Sequence, residues 1–317
     1  MRKKILLILL VFVGLFTIVG CGNKSKKEKV KKEVITPLMY EVTKEGSTNK
    51  IYILGTIHIG NLKNTEFDKY VLKAFNESHY VAAEIDNEDD EEDLTKQIEK
   101  TLYQGDDTIK NHISEESYIK LMKYVKDNNL DDEIVDLDKT NLESYSQLLM
   151  QVVIDKSGLS ADEGIDEYFV NKAKKEGKNF LVIEGSEFQN KVLASLPDKV
   201  YENMILEVID NLDGQVTEAK EMFKKWKNGN EEEIWKDDGS SIKEEDKSKY
   251  SEEVIKAAEE FDEKLLYSRN ITMTDKLEEY FNNDYDVFYM VGQDHTVGDK
   301  GIVTLLRQRG YVVTKLG

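Results

Sequence analysis

Cysteine is nearly absent: Cys21 is the only one in 317 residues. That excludes an intrachain disulfide and any cysteine-rich metal site. Proline occurs twice and histidine four times, so the position of each histidine is informative. Neither His-Glu-x-x-His nor Gly-x-Ser-x-Gly is present, which removes the common zincin and serine-hydrolase arrangements. Basic residues number 44 against 63 acidic, a formal net charge of -19. A phosphate backbone needs a basic footprint, so no nucleic-acid partner is expected. The apolar share is 39%, with 16 Tyr and 11 Phe. This is too much for a disordered chain and too little for a polytopic membrane protein.

What is present starts with a leader. Arg2, Lys3 and Lys4 precede an apolar run from Ile5 to Val19. As a helix it reaches only about 22 Å, short of the roughly 30 Å hydrocarbon core, so residues 1–20 read as a signal peptide. Ile18-Val19-Gly20 before Cys21 resembles a bacterial lipobox. That resemblance implies cleavage before Cys21 and acylation of its thiol by palmitate-type chains. Residues 21–36 then read as a lipidated cysteine and a lysine-rich flexible tether that also touches anionic headgroups. The fold should occupy residues 37–317, beginning near Pro37. The expected location is the outer face of the bacterial cytoplasmic membrane, anchored at Cys21.

Leu38–Thr43 and Ile51–Ile57 read as strands of a hairpin around a turn-rich segment. Phe67, Tyr70, Val71, Ala74 and Phe75 recur at helical spacing. Tyr80–Ala83 reads as a buried strand ending at Glu84, and Phe180–Ile183 as another ending at Glu184. The acidic run Glu88–Asp93 lacks the glycine and alternation of a calcium loop, and reads as a solvated segment. Leu94–Met150, Gly164–Ala173 and Val192–Lys227 have helical patterns. Asn228–Lys249 is polar and reads as an exposed connection or the tip of a helical arm. Glu252–Phe281 reads as one long helix and Val287–Val291 as a strand. A helix capped by Asp299 runs to Arg309, and Tyr311–Thr314 is the last strand. Strands near both ends flank a helical middle, so one sheet should be completed late by a C-terminal βαβ unit.

Two places share a pattern. Strand Ile51–Leu54 runs into Gly55-Thr56-Ile57-His58, and strand Val287–Val291 into Gly292-Gln293-Asp294-His295. Strand ends converge at one edge of an α/β sheet, and glycine there permits a tight turn or close backbone approach. Histidines delivered this way can bind one metal ion or share acid/base work. Glu84, also at a strand end, can complete a two-histidine, one-carboxylate site. Glu184 and Glu187 are secondary candidates for the same reason. Arg269 falls on the largely apolar line Asp262, Leu266, Met273, Leu277, Tyr280, with Asn270 beside it. A charge there needs a partner or a polar cavity: either a buried Arg–carboxylate bridge or a group that steadies an oxyanion.

These residues resemble the TraB/GumN family, grouped with the Tiki proteases and the erythromycin-esterase/ChaN-like proteins. The likeness rests on Ile51–Gly60, Glu84 and Val291–Val303 with Leu305, Leu306 and Arg309–Tyr311. Between them, Gly164-Ile165-Asp166, Ile183-Glu184 with Glu187 and Gln189, Trp226 before Gly229, and Arg269-Asn270 with Met273 keep the order. The resemblance implies an α/β (α+β) domain with a mixed central sheet, flanking helices and a largely helical middle insert. It implies a divalent-metal-dependent hydrolase acting on secreted peptides or proteins. His58, Glu84 and His295 would hold Mn, Co or Zn, or do acid/base work, and Arg269 would steady the oxyanion. Gly55, Gly292, Glu184, Glu187 and Asn270 would support them. Gln293 and Asp294 depart from the small residues more usual before the second histidine. A non-catalytic lipoprotein that sequesters a peptide is the alternative, and haem or iron binding a third.

Overall fold

A computed structural model describes residues 32–63, 65–85, 98–194, 196–235, 247–248 and 250–317. The expected signal peptide, Cys21 and the acidic run Glu88–Asp93 lie outside the described residues.

The main sheet has six strands in the order β6-β5-β7-β3-β2-β8. They are β2 (Met39–Thr43), β3 (Ile51–Thr56), β5 (Tyr80–Ala83), β6 (Asn179–Val182), β7 (Val287–Gly292) and β8 (Val312–Leu316). β2 and β3 form the expected hairpin, with Met39 opposite Leu54. β3 pairs parallel with β7, which pairs parallel with β5, and β5 with β6. β2 alone runs against the rest, since β8 is antiparallel to it. The sheet is therefore mixed, as expected. β7 enters its centre and β8 closes the far edge, with β3 and β2 between them, so the late βαβ unit spans those two strands. A second, two-stranded sheet pairs β1 (Glu33–Ile35) with β4 (Thr65–Phe67). β1 precedes Pro37, where the sequence reading starts the fold, and Phe67 belongs to β4 rather than to the helix after it.

Alternation along the strands divides the core. Tyr52, Leu54, Phe288 and Met290 face one side, with α1 (Lys69–Glu77) and α4 (Ile165–Glu176). Ile51, Ile53, Val287, Tyr289 and Val291 face the other, with α9 (Ser268–Asn282) and α11 (Ile302–Gln308). Such two-sided burial is what makes β3 and β7 read as nearly continuous apolar runs. A third apolar cluster, with Leu121, Leu149, Val153, Tyr201, Met204, Phe261 and Leu265, forms the helical insert. It joins α2 (Glu115–Asp127), α3 (Leu142–Ser157), α5 (Ser186–Ala194), α6 (Asp198–Asn228) and α8 (Glu252–Asp262).

Some sequence expectations shift. Loops and short turns separate α2 from α3 in the stretch read as helical. In the polar stretch Asn228–Lys249, Gly229 and Ile234 of α7 (Glu231–Trp235) are buried, and a Cβ on Gly229 would meet Thr36 O at 2.1 Å; residues 236–246 and 249 lie outside the described residues. The helix Glu252–Phe281 is continuous but contains a π turn, Glu263–Tyr267, between α8 and α9. The last helix is capped at Gly301, not Asp299, because Asp299 lies in the turn before it.

Candidate active site

The cavity lies where β3, β5 and β7 end. It measures about 70 Å³, and its lining includes His58, Glu84, Arg269, Gly292, Gln293 and His295. Four residues expected from sequence thus meet, carried by three parallel strand ends and one helix. Met222 of α6 with Leu265 and Leu266 of the π turn adds an apolar wall from the insert.

The β3 loop is pinned in several ways. Ile165 N donates to Ile57 O at 3.0 Å, and Gly60 and Ser160 exchange backbone hydrogen bonds at 2.9 Å. Gly164 lets the α4 start approach, since a Cβ there would lie 2.7 Å from His58 O. Asp166, on the first turn of α4, then meets the loop's side chains. Thr56 Oγ1 donates to its Oδ1 at 2.5 Å, and its Oδ2 lies 2.9 Å from His58 Nδ1. Burial opposes charge on His58, but the Asp166 carboxylate and, further off, Glu84 outweigh it and push its pKa up to about 9.

The second histidine is held differently. His295 sits on the single turn α10 (Gln293–Thr296) and is buried. Its Nδ1 lies 2.6 Å from Asn270 Oδ1, while Asn270 Nδ2 donates to Lys300 O at 3.0 Å. Burial, with Arg269 and His58 nearby, pushes its pKa down to about 3. The surroundings thus favour the charged form of His58 and the neutral form of His295. Each has Nδ1 engaged, which leaves Nε2 as the working nitrogen.

Glu84 accepts three hydrogen bonds. Gly292 N donates to its Oε1 at 2.7 Å, and Arg269 Nη2 and Gln189 Nε2 donate to its Oε2 at 2.7 and 2.9 Å. Burial works against its charge, but Arg269, the histidines and the Gly292 N–H hold the carboxyl well below its usual range. Arg269 also grips Glu184, with Nη2 to Oε2 at 2.7 Å and Nε at 3.1 Å, and its Nη1 donates to Leu265 O at 3.0 Å. Burial raises Glu184, against the pull of Arg269. Arg269 is thus a brace between two carboxylates and the π turn. Glu187 is not brought to the cavity: it is exposed on α5 and pairs with Lys191.

The donor set bears on metal binding. His58 and His295, each backed by an oxygen at Nδ1, are arranged as ligating imidazoles with outer partners often are. Glu84 Oε2 is taken up by Arg269 and Gln189, while Oε1 accepts one hydrogen bond, from Gly292 N. Among the described residues, no group of three or more His, Cys, Asp or Glu side chains is placed to hold an ion.

Sequence reasoning assigned no role to Asp166, Thr56 or Gln189. Asp166 lies in the Gly164-Ile165-Asp166 stretch, and a carboxylate just after a helix-starting glycine was the signal available. The tertiary contact that joins it to His58 has a separation of 108 residues and leaves no local pattern.

No curated protein and no solved structure matches the chain. The sequence model of the TraB/PrgY/gumN family matches residues 38–315, nearly all of the fold just described, and the chain belongs to that family.

Proposed function

We propose that the protein is a hydrolase of secreted peptides, held outside the bacterial cytoplasmic membrane by a lipid on Cys21. The observation that carries the catalytic reading is the pair of histidines on one cavity, each fixed through Nδ1 with Nε2 left for proton transfer. His295, neutral, takes a proton from water as the oxygen attacks the scissile carbonyl carbon. His58, charged, gives its Nε2 proton to the leaving nitrogen as the C–N bond breaks. Water thus divides between the two products, and the histidines end with their protonation states exchanged. Solvent then restores them. Glu84 and Arg269 set the field of the cavity without reacting.

A second reading is favoured by the Asp166–His58 and Asn270–His295 pairs. His58 and His295 would hold a divalent ion, whose chemistry there would be to polarise a water. The lipid anchor rests on the Cys21 sequence pattern. Among the described residues, no helix is long and apolar enough to cross a membrane.

The test is digestion of oxidised insulin B chain by the full mature chain, with products read by mass spectrometry. Cleavage lost at least 100-fold in His58→Ala and in His295→Ala supports the hydrolase. Persistence after chelation supports the acid/base mode, and loss restored by Mn, Co or Zn supports the metal mode. No cleavage under any of these conditions overturns the hydrolase and favours the sequestering lipoprotein. The mass of the mature N-terminus tests the anchor separately.

A further inference from the structure

The π turn Glu263–Tyr267 lies where two cores meet. Before it, α8 packs in the insert through Ala257 and Phe261, and after it α9 packs on the sheet through Met273 and Leu277. Leu265 and Leu266, within the turn, are buried and wall the cavity on that side. π turns are rare, and they gather at functional sites. Lys300, in the segment after His295, reaches over to this turn. Its Nζ lies 3.3 Å from Glu263 Oε2 and 4.0 Å from the centre of the Tyr267 ring. One ammonium group thus grips the first and the last residue of the turn. The backbone of Lys300 is fixed separately: its carbonyl oxygen accepts from Asn270 Nδ2 at 3.0 Å, and Gly301 N donates to Gly298 O at 3.1 Å. The grip itself is in solvent, with the Lys300 and Glu263 side chains 61% and 55% exposed. Exposed ion pairs and cation–π contacts are weak, and salt screens the ion pair. Glu263 keeps a partner if the grip is released, since its Oε1 accepts from Ser268 Oγ at 3.3 Å. The bond from Arg269 Nη1 to Leu265 O spans only four residues of the same helix, so it does not cross the cavity as the Lys300 grip does.

We propose that the π turn is a lid on the cavity and that Lys300 is its latch. With the latch closed, Leu265 and Leu266 wall the cavity. With Lys300 released from Glu263 and Tyr267, the turn lifts and a ligand enters. The cavity measures about 70 Å³, under half of the roughly 150 Å³ that takes one benzene, so a larger ligand gains room when this wall withdraws. The lid concerns entry alone. It goes beyond the hydrolase reading and does not depend on it, since a sequestering protein would use it equally.

The test reads opening rather than turnover, in the full mature chain carrying Leu266→Cys. Alkylation of the new thiol by iodoacetamide is timed by mass spectrometry of the peptide that spans it. Adding Lys300→Met should speed alkylation by about three- to thirtyfold, the loss of one exposed ion pair and one cation–π contact. Raising salt from about 0.05 to about 0.5 M should speed it when Lys300 is present and not in Lys300→Met. Removing a nearby cation by itself raises a thiol pKa and slows alkylation, so a faster rate reports exposure. Leu149→Cys, in the core of the insert, reports general loosening and should be unaffected by Lys300→Met. An unchanged rate at the first thiol in Lys300→Met, or equal acceleration at both thiols, overturns the latch. Amide exchange of Glu263–Tyr267 reads the same opening with no thiol introduced. Faster exchange there in Lys300→Met than in the wild type supports the lid, and equal exchange overturns it.

Discussion

Asn270 fixes which nitrogen of His295 carries the proton. Its Nδ2 donates to Lys300 O, so its Oδ1 faces His295 Nδ1 and must receive a hydrogen bond from it. The lone pair of neutral His295 is then on Nε2. Asn270→Asp puts a carboxylate beside the ring, favours the charged form and raises the His295 pKa. The base form should then be lost over a wider acid range. The acid limb of the kcat/KM profile should move to higher pH, with a larger loss at pH 6 than at pH 8. An equal loss at both values would reduce Asn270 to a packing role.

Arg269 serves two buried carboxylates, Glu84 and Glu184, each 2.7 Å from its Nη2. Arg269→Met removes the cation that the two share and should cost about 3–5 kcal/mol in urea unfolding. Glu84→Gln leaves a balanced Arg269–Glu184 pair and should cost less, about 1–3 kcal/mol. The ordering of the two midpoints is the check. If Glu84→Gln unfolds first, Glu84 rather than the arginine organises the cluster.

The strands, and the meeting of the two histidines at their ends, were legible because β3 and β7 are buried on both faces and each runs into Gly-x-x-His. Short-range pattern reports such things directly. The π turn was not legible, because one extra residue in a helix barely disturbs the apolar spacing of Leu266, Met273 and Leu277. The loss of Glu187 from the site had no local signal either. Glu184 and Glu187 follow the same strand, but α5 carries Glu187 out to Lys191 while Glu184 stays with Arg269. Asp166 was within a recognised stretch, yet only the docking of α4 onto the β3 loop shows what it does.

His112 stitches the helical insert together. Its Nδ1 lies 2.7 Å from Asp198 Oδ2 at the start of α6, its Nε2 lies 2.9 Å from Asp107 Oδ2, and its ring stacks on Tyr103. Burial opposes its charge, but the two carboxylates outweigh burial and raise its pKa. A raised folded-state value stabilises fully below the ordinary pKa, about 6.5, and the gain disappears as pH climbs through the folded value. The Tm gap between wild type and His112→Gln should therefore be wide at pH 6 and narrow at pH 9. A gap that is constant with pH would mean that the ring acts by stacking alone.

The two motif glycines should differ in what they tolerate. A Cβ on Gly55 would press on the Gln293 backbone, where Cα is 3.1 Å away, and neither chain segment is free to yield. Gly55 N is bonded to Leu38 O, and Gly55 O accepts from Trp226 Nε1, each at 2.9 Å. A Cβ on Gly292 would meet only His295 Cδ2 at 3.5 Å and Glu84 Oε1 at 3.7 Å, ordinary contacts. Gly55→Ala should cost about 1–3 kcal/mol through overpacking, and Gly292→Ala less than about 1 kcal/mol. Urea midpoints of the two variants test this. A Gly292→Ala protein of normal stability but lost peptide cleavage would show that the second glycine serves the passage of ligand past Glu84 and His295. Equal destabilisation of both would instead make each glycine a requirement of the chain's turn.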